Sequence, residues 1–362
     1  MVINTNTEAS AILGVDVGGT KTRWVLYEKA ANEVTHTIIA DGQYVVVPPL
    51  RDVKPDIAAV FRFTSELCAR RGFDLSAVGI GFPRRFGNDY IIKPNYAPRP
   101  AIIPTHNEYD GRNIYEILRE SIPEPTPLTV LNDAAAHLEG IISRKLNEAD
   151  GLTTFAQKTV GLIAPGTSLG GGFAVISHQG EVTRITDGHI NDMMITLPQQ
   201  DLAFLNERSD DFLLEKRIRG SRVETAAVLS GRGLTRVLGL RGESLDIGSV
   251  SREQRRYVDI AAKVMVQVVQ DIRKGDVVKR DEDQQWPESD KAAASATSIF
   301  FISGGMGTSP IGEMILRQAE KILGPIHPNV QLIIERDNMA PYGACIAANR
   351  AICHATLMAN CG

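Results

Sequence analysis

Two aspartates lie where predicted strands end, and both have the chemistry that a phosphoryl-transfer site needs. Asp16 stands at the end of an apolar run beside a glycine-rich turn, where a carboxylate can hold Mg²⁺ directly or through water. Asp133 follows the apolar run Leu128–Leu131 and precedes a helical pattern. There it could accept the proton of an alcohol while a phosphoryl group moves in line. Structural roles stay open for both residues, because aspartate also caps turns and helix N-termini.

Three glycine-rich segments also follow predicted strands: Asp16–Thr20, Gly166–Gly172 and Ser303–Gly305. Glycine tolerates positive φ angles and lets backbone N–H groups come close to an anion, so such turns suit the phosphates of a nucleotide. One such segment alone could be a plain turn. Three of them at strand ends predict a nucleotide-binding cleft.

The first of these turns fits neither of two common nucleotide motifs. A P-loop needs Lys directly after its second conserved glycine, but Thr20 follows Gly19 and Lys21 comes one position late. A dinucleotide-binding fold needs G-x-G-x-x-G at the start of a helix, and no such sequence follows the first strand. The pattern therefore predicts a β-hairpin, and not a helix N-terminus, beside the phosphates.

Both halves of the chain are predicted to begin with a strand–glycine turn–strand unit and to acquire helices later. Apolar runs predict the first hairpin at Ala11–Val17 and Lys21–Tyr27, and the second at Thr159–Ala164 and Phe173–Ser177. The spacing of Arg252–Arg273 predicts a long amphipathic helix. Further strands are predicted at Tyr44–Val47, Ala77–Phe82, Glu181–Ile185, Ile299–Ser303 and Val330–Ile334, and further helices at Asp56–Arg71, Asn113–Ser121, Ala134–Leu146, Ile311–Ile322 and Ala344–Ala355.

Length, charge and composition limit the class of protein. The 362 residues suffice for two domains, and a net charge of -4 without a basic stripe argues against a nucleic-acid partner. No apolar stretch is long enough to span a bilayer and the N-terminus has no signal-peptide pattern, so we expect a cytoplasmic protein without a membrane partner. The scattered cysteines are expected to be reduced thiols. Arg84 and Arg85 are expected to be a solvated pair.

Four segments, in this order, resemble the sugar kinases of the actin-like ATPase superfamily: Leu13–Lys21, Leu131–Asp133, Gly166–Gly170 and Ile302–Gly305. Two further segments are similar to those of glucokinases and the related ROK kinases. Asp187–Asn191 looks like their E-G-G-H segment, and Ala227–Leu234 looks like their V-L-S-G-x-G-L segment.

The resemblance implies an α/β fold of two ribonuclease-H-like (actin-like ATPase) domains with an interdomain cleft. Residues 10–132 plus 345–362 would form a small N-terminal domain, and residues 133–344 a larger C-terminal domain with a mobile surface loop near 276–297. The implied function is transfer of the γ-phosphoryl group of ATP to the primary hydroxyl of a hexose, with ATP and Mg²⁺ bound. The implied partner is a small-molecule sugar or sugar-like polyol. The oligomeric state is left open, with a homodimer as one option.

The family motifs also imply roles for individual residues. Asp133 would be the catalytic base, and Asp16 would organise Mg²⁺. The ATP-binding residues would be Gly18, Gly19, Thr20, Lys21, Gly166, Thr167, Ser168, Gly170, Gly304 and Gly305. The residues that bind the acceptor would be Asn95, Asn132, Asp187, His189 and Glu224.

Two departures from the family pattern concern the acceptor. Thr186 stands where the family has the first glutamate of E-G-G-H, and Ala226 stands where it has a second sugar-binding glutamate. A carboxylate that accepts two hydroxyl hydrogens discriminates strongly between ligands, so its loss argues for other hydroxyls or for replacement by Asp187 or Glu224. The open alternatives to a hexose kinase are a kinase for an amino sugar or C7-cyclitol and a catalytically weak sugar sensor.

Overall fold

The structure is a computed structural model whose contacts divide the chain into two compact units. The first unit comprises Met1–Lys145 with Met339–Gly362, and the second comprises Leu146–Asn338. The residues that the structure describes are 9–18, 21–30, 33–45, 53–84, 86, 89–92, 109–166, 169–187, 190, 193–207, 218–239, 250–275 and 287–361.

The first unit is built on a sheet of five described strands in the order β3-β2-β1-β4-β5. These strands are β1 (Ser10–Val17), β2 (Lys21–Ala30), β3 (Glu33–Val45), β4 (Asp74–Phe82) and β5 (Leu128–Asn132). Strands β1, β2 and β3 pair antiparallel, whereas β1, β4 and β5 are parallel. Most side chains of β1 and the second half of β4 are buried, as expected for parallel strands that are covered on both faces.

Described helices pack on this sheet: α1 (Lys54–Arg71), α2 (Ile114–Arg119), α3 (Asp133–Leu146) and a C-terminal helix, α11 (Ala340–Cys361). The first turns of α11 lie directly against the strands. A Cβ on Gly14 of β1 would overlap the carbonyl of Pro341. A Cβ on Gly79 of β4 would overlap the carbonyl of Ala344. Glycine at these two positions therefore lets α11 reach the backbone of the strands that carry the candidate residues.

Helix α3 belongs to the first unit, whereas the sequence-based boundary stood before it, after residue 132. It packs on α11 so closely that a Cβ on Gly343 would overlap the carbonyl of Ala136. The buried carboxylate of Glu139 also pairs with Arg350 of α11. These contacts join residues that are about 200 positions apart in the chain, and no local sequence pattern predicts them.

The second unit has a sheet with the same arrangement, β8-β7-β6-β12-β13, and a small sheet in the order β10-β11-β9. Its strands are β6 (Thr159–Pro165), β7 (Leu169–Ile176), β8 (Val182–Asp187), β9 (Met194–Thr196), β10 (Ile218–Arg219), β11 (Arg222–Glu224), β12 (Ile299–Ile302) and β13 (Gln331–Ile334). Strands β6, β7 and β8 are antiparallel, and β6, β12 and β13 are parallel. The structural echo predicted between the two halves is therefore present in the strand order and directions of both sheets.

The described helices of the second unit are α4 (Gly151–Phe155), α5 (Gln199–Glu207), α6 (Thr225–Val228), α7 (Gly231–Leu238), α8 (Arg252–Lys274), α9 (Glu288–Ser295) and α10 (Pro310–Leu323). Helix α8 begins with a capping box in which the side chains of Ser251 and Gln254 each accept a hydrogen bond from the other's backbone N–H. It ends at Gly275, whose φ of 68° is left-handed. One face of α8 supplies much of the apolar core of this unit. Among the described helices, none is long and apolar enough to cross a membrane.

The structure corrects two local predictions in this unit. The segment predicted as a surface loop contains helix α9 in its second half, because the run from Glu288 to Ser295 is rich in alanine, the best helix former. Residues 276–286 of that segment lie outside the described residues. The glycine turn after β6 is shorter than predicted, because Leu169 already pairs with Pro165 and begins β7.

Candidate functional site

The carboxyl ends of three parallel strands bring the candidate acids of the first unit to one edge of its sheet. Asp16 of β1 is in register with Gly81 of β4, and Gly81 is in register with Leu131 of β5. Two strand spacings therefore separate the backbones of Asp16 and Leu131, which is roughly 10 Å. A Cβ on Gly81 would lie 3.4 Å from the Cα of Asp133 and 3.7 Å from the carbonyl oxygen of Val15. Asp133 thus lies over the end of β4, next to the strand that carries Asp16.

Asn132, and not Asp133, caps helix α3. The Oδ1 atom of Asn132 accepts hydrogen bonds from the backbone N–H groups of Ala134 at 2.9 Å and Ala135 at 3.3 Å. These are the second and third residues of the helix if Asn132 is the N-cap, which is the usual geometry of such a cap. The plain structural role that the sequence left open for Asp133 is therefore filled by its neighbour.

Asp133 is the first residue of a 14-residue helix, and its side chain is half-buried. One carboxylate oxygen, at 2.8 Å from the backbone N of Ala134, shares that N–H with Oδ1 of Asn132 in a three-centre hydrogen bond. The positive end of the helix dipole favours negative charge at this position. The arrangement therefore holds a carboxylate at the sheet edge, beside the N-terminus of the helix.

Arg84 lies just after β4 and is not the solvated residue that the sequence predicted. Its side chain is only 6% exposed, and its guanidinium group forms an ion pair with Asp110. Its backbone carbonyl accepts a hydrogen bond of 3.2 Å from Nδ2 of Asn132. The prediction failed because Asp110 is 26 residues further along the chain, beyond the reach of a local pattern. Arg85 lies outside the described residues.

The turn between β1 and β2 is a tight hairpin that requires glycine at its first position. The backbone N–H of Gly18 donates a hydrogen bond of 2.9 Å to the carbonyl of Lys21. A Cβ on Gly18 would come within 2.6 Å of that same carbonyl oxygen, so a side chain would force the hairpin open. The hairpin follows Asp16 by one residue, so that acid and the turn lie at the same end of the sheet.

Two glycine turns of the second unit meet at the end of β6. The carbonyl of Pro165 accepts hydrogen bonds from the backbone N–H groups of Met306 at 2.9 Å and Gly307 at 3.0 Å. Gly304 has a φ of 86°, and a Cβ on it would lie 2.8 Å from the same Pro165 oxygen. Among the described residues, no atom beyond the chain neighbours lies within 4 Å of the Cβ position of Gly305. The structure therefore joins the predicted phosphate turn and the predicted adenosine-side turn.

A third segment at this junction was not predicted. The backbone N–H of Gly231, at the start of α7, donates a hydrogen bond of 2.7 Å to the carbonyl of Gly166. Ser230 caps α7, because its hydroxyl oxygen accepts a hydrogen bond of 3.0 Å from the N–H of Gly233. The Ser-Gly pair at 230–231 is a helix-start signal that the sequence contains, but the partner of Gly231 can only be seen in three dimensions.

Asp187, a candidate acceptor residue of the second unit, lies beside β7. Asp187 ends β8 opposite Gly172, and a Cβ on Gly171 would overlap the side chain of Ile190. The hydroxyl of Thr225 donates a hydrogen bond to the carbonyl of Ile190. Glu224, which precedes Thr225, is 3% exposed. The backbone that carries Asp187 and Ile190 and the buried carboxylate of Glu224 therefore belong to one neighbourhood.

The predicted residues fall into three groups. Asp16, Asn132 and Asp133, with Gly18 and Lys21, share one end of the first sheet. Gly166, Gly304 and Gly305 cluster in the second unit, where Gly170 lies in the strand beside Ala164 and Glu224 is close to the 187–190 segment. The predicted residues that lie outside the described residues are Gly19, Thr20, Asn95, Thr167, Ser168 and His189.

The chain has the fold of ROK-family proteins and glucokinases. The glucokinase of Balamuthia mandrillaris, solved with glucose, matches with a TM-score of 0.62 at 16% identity over 95% of this chain and 95% of its own. A ROK family protein from Streptococcus pneumoniae TIGR4, solved with sucrose, gives a TM-score of 0.57 at 11% identity over 95% and 99% of the two chains. The ROK hexokinase from Thermus thermophilus gives 0.56 at 17% identity over 94% and 99%. No protein-family model and no curated protein sequence matches the chain.

Proposed function

We propose that this protein is an ATP-dependent kinase that phosphorylates a hydroxyl group of a sugar or sugar-like polyol, with Asp133 as the general base. The observation that carries the proposal is that two neighbouring residues at the start of α3 have different roles. Asn132 caps the helix, and this leaves Asp133 at the carboxyl edge of the sheet near Asp16. The fold that the chain shares with ROK-family proteins and glucokinases supports the same conclusion.

In this mechanism Asp133 accepts a hydrogen bond from the acceptor hydroxyl and takes its proton as the oxygen attacks the γ-phosphoryl group. The positive end of the α3 dipole interacts favourably with negative charge at Asp133. The hydrogen bonds of Asn132 fix where the helix begins, and they therefore fix the position of the carboxylate. A base held in one position needs little reorganisation during the reaction.

The residues present suit a nucleotide and a magnesium ion. A Cβ on Gly18 or on Gly304 would collide with a backbone carbonyl, so neither position can carry a side chain. Phosphate-binding turns share this property, because it lets backbone N–H groups approach the anion. Asp16 supplies the carboxylate oxygen that Mg²⁺ prefers. When bound, Mg²⁺ neutralises charge on the phosphates. We assign the phosphates to the 18–21 and 166–170 turns and the adenosine to Gly304 and Gly305.

For the acceptor we propose a primary hydroxyl of a hexose or a related polyol, bound by Asn95, Asn132, Asp187, His189 and Glu224. Asn132 has most of its amide engaged: Oδ1 accepts two backbone N–H groups, and Nδ2 donates to Arg84. One N–H of its amide remains for the acceptor. The buried carboxylate of Glu224 suits hydroxyl groups, since a charged hydrogen bond to a ligand hydroxyl discriminates strongly against ligands that lack it.

The decisive experiment is a coupled ADP-release assay with hexoses, amino sugars and cyclitols, with the phosphorylated product identified by mass. We expect ADP release that depends on one class of acceptor and exceeds ATP hydrolysis in its absence. Strong turnover of glucose would show that the residues replacing the family glutamates are sufficient for it. An acceptor that raises the melting temperature without any ADP release would overturn the kinase proposal and favour a sugar sensor.

A further inference from the structure

Arg84 is a buried charge beside the catalytic candidate that the proposed mechanism does not use. Its side chain is 6% exposed, and that of its ion-pair partner, Asp110, is 23% exposed. A buried guanidinium group is costly unless it is paired, and removing one partner of such a pair is more damaging than removing both. The pair therefore fixes Arg84 in one place.

The backbone of Arg84 links the ion pair to Asp133 through a hydrogen bond with Asn132. Its carbonyl accepts the hydrogen bond from Nδ2 of Asn132, at 3.2 Å. The other end of the same amide accepts the first N–H groups of α3, from Ala134 and Ala135. Because Oδ1 is committed to these N–H groups, Nδ2 must point at Arg84. A shift of Arg84 would therefore move the cap, and with it the first residue of the helix.

Asp110, the partner of Arg84, is held by the hydrogen bonds of the turn in which it lies. Asp110 lies in a turn in which the N–H of Gly111 donates to the carbonyl of Ile92 and the N–H of Ile92 donates to the carbonyl of Arg112, both at 2.9 Å. The hydroxyl of Tyr109 accepts a hydrogen bond of 3.0 Å from the backbone N–H of Val53. Asp110 is thus tied to the backbone of both Ile92 and the start of α1.

We propose that the Arg84–Asp110 pair is a positioning device that holds Asn132, and through it Asp133, in register with the turn at residues 109–112. Arg84 acts through Asn132 and does not contact the reacting atoms, so it is a positioning residue. The proposal rests on the proposed function only in its effect on turnover. The structural coupling from Asp110 to the start of α3 holds whatever reaction the protein catalyses.

The variants that test it are Arg84→Met and Asp110→Asn, with Arg256→Met as the matched control. Arg256 also pairs with a buried carboxylate, that of Asp201, but in the second unit. We expect both test variants to lower kcat about 10- to 100-fold with the KM for ATP unchanged, because a small displacement of a catalytic group costs rate more than nucleotide binding. Arg84→Lys keeps the charge without the planar fork and should recover part of the loss.

Amide hydrogen exchange separates this inference from the proposed function. Arg84→Met should speed exchange at least fivefold both in residues 109–113 and in residues 132–136, with Arg256→Met changing neither. The double variant Arg84→Met/Asp110→Asn should lose less stability than the sum of the two single changes. Unchanged exchange at 132–136, or a kcat loss equal to that of Arg256→Met, would overturn the positioning role. If the wild-type protein phosphorylates no acceptor, the kinase proposal fails, and the exchange result still decides the coupling.

Discussion

The sheets of the two units have the same strand order and directions, yet their corresponding edges carry different groups. In the first unit Asp16 is the last residue but one of β1, β5 ends with Asn132, and Asp133 follows it. In the second unit the corresponding strand β6 ends with Pro165, and β12, the counterpart of β4, is followed by Ser303 and Gly304. Strand β13, the counterpart of β5, is followed by Glu335. The first edge combines two aspartates, whereas the second combines one buried glutamate with backbone carbonyl and N–H groups from glycine turns.

The comparison shows that one strand arrangement can position two kinds of chemistry. A carboxylate at a strand end can take a proton or hold a metal ion, whereas a glycine turn can only bind through its backbone. We therefore expect changes at the first edge to affect the rate of the chemical step. Changes at the second edge should affect nucleotide affinity.

The largest effect is expected for Asp133→Asn. The amide keeps the size of the side chain but cannot accept the proton, so kcat should fall about 10²- to 10⁴-fold, the usual contribution of a general base. The matched change in the second unit is Glu335→Gln, because Glu335 follows β13 as Asn132 ends β5, and its N–H donates to the carbonyl of Ile302 at 2.8 Å. Steady-state kinetics should show kcat within about twofold of wild type for this control. Equal losses in the two variants would contradict the proposed division between the units.

The next largest effect is on stability and compares two glycines in corresponding strands. Gly14→Ala in β1 would drive a methyl group into the backbone carbonyl of Pro341, which cannot move without α11. Gly161→Ala in β6 would place its Cβ 2.8 Å from the ring of Phe300, so it would meet a side chain and not the backbone of a helix. We expect losses of about 3 kcal/mol for Gly14→Ala and about 1 kcal/mol for Gly161→Ala in urea denaturation. A larger loss of unfolding free energy for Gly161→Ala than for Gly14→Ala would show that α11 can shift to accommodate the added methyl group.

Much of the fold, but less of the site, could be predicted from the sequence. The two strand–glycine turn–strand units stand out because apolar runs and glycines are local signals. The fold class that the family resemblance implied agrees with the ROK-family and glucokinase structures. The ion pair of Arg84 and the contact of Gly231 with Gly166 could not be predicted, because each joins segments that no periodicity links. The assignment of the cap to Asn132 was also out of reach, since Asn and Asp are equally good caps.

Gly304→Ala is expected to weaken ATP binding. Alanine at this position must adopt a φ of 86° and would place its methyl group 2.8 Å from the carbonyl of Pro165, so the turn should shift. We expect the KM for ATP to rise about 10-fold, which corresponds to roughly 1.4 kcal/mol, with kcat less affected. The control is Gly220→Ala, which needs a left-handed φ of 61° but would meet no atom within 4 Å of its Cβ in the part of the chain that the structure describes. That variant should lower the melting temperature without changing the KM. If Gly304→Ala lowered kcat and left the KM for ATP unchanged, this turn would affect the chemical step and not ATP binding.

The smallest effect expected is a pH dependence confined to the first unit, which contains all four cysteines. Burial, with a smaller contribution from the carboxylate of Asp74, raises the pKa of the Cys68 thiol from 9.0 to about 11. Between these values the unfolded chain loses the proton that the folded unit keeps. The unfolded state then binds fewer protons, so the free energy of unfolding falls as pH rises from about 9 towards 11 and is unaffected by this group below about 9.

Cys68→Ala removes this titration and serves as the matched variant. Urea denaturation followed by hydrogen exchange in peptides of each unit should show that the stability advantage of the wild type over Cys68→Ala shrinks between pH 8 and about pH 10. The peptides of the second unit should show no such difference between the two proteins. An advantage that is constant across this range would mean that the thiol is more accessible than its 1% exposure indicates. An equal change of this advantage in both units would mean that they unfold as one cooperative body. The two units would then differ in their chemical groups but not in their stability.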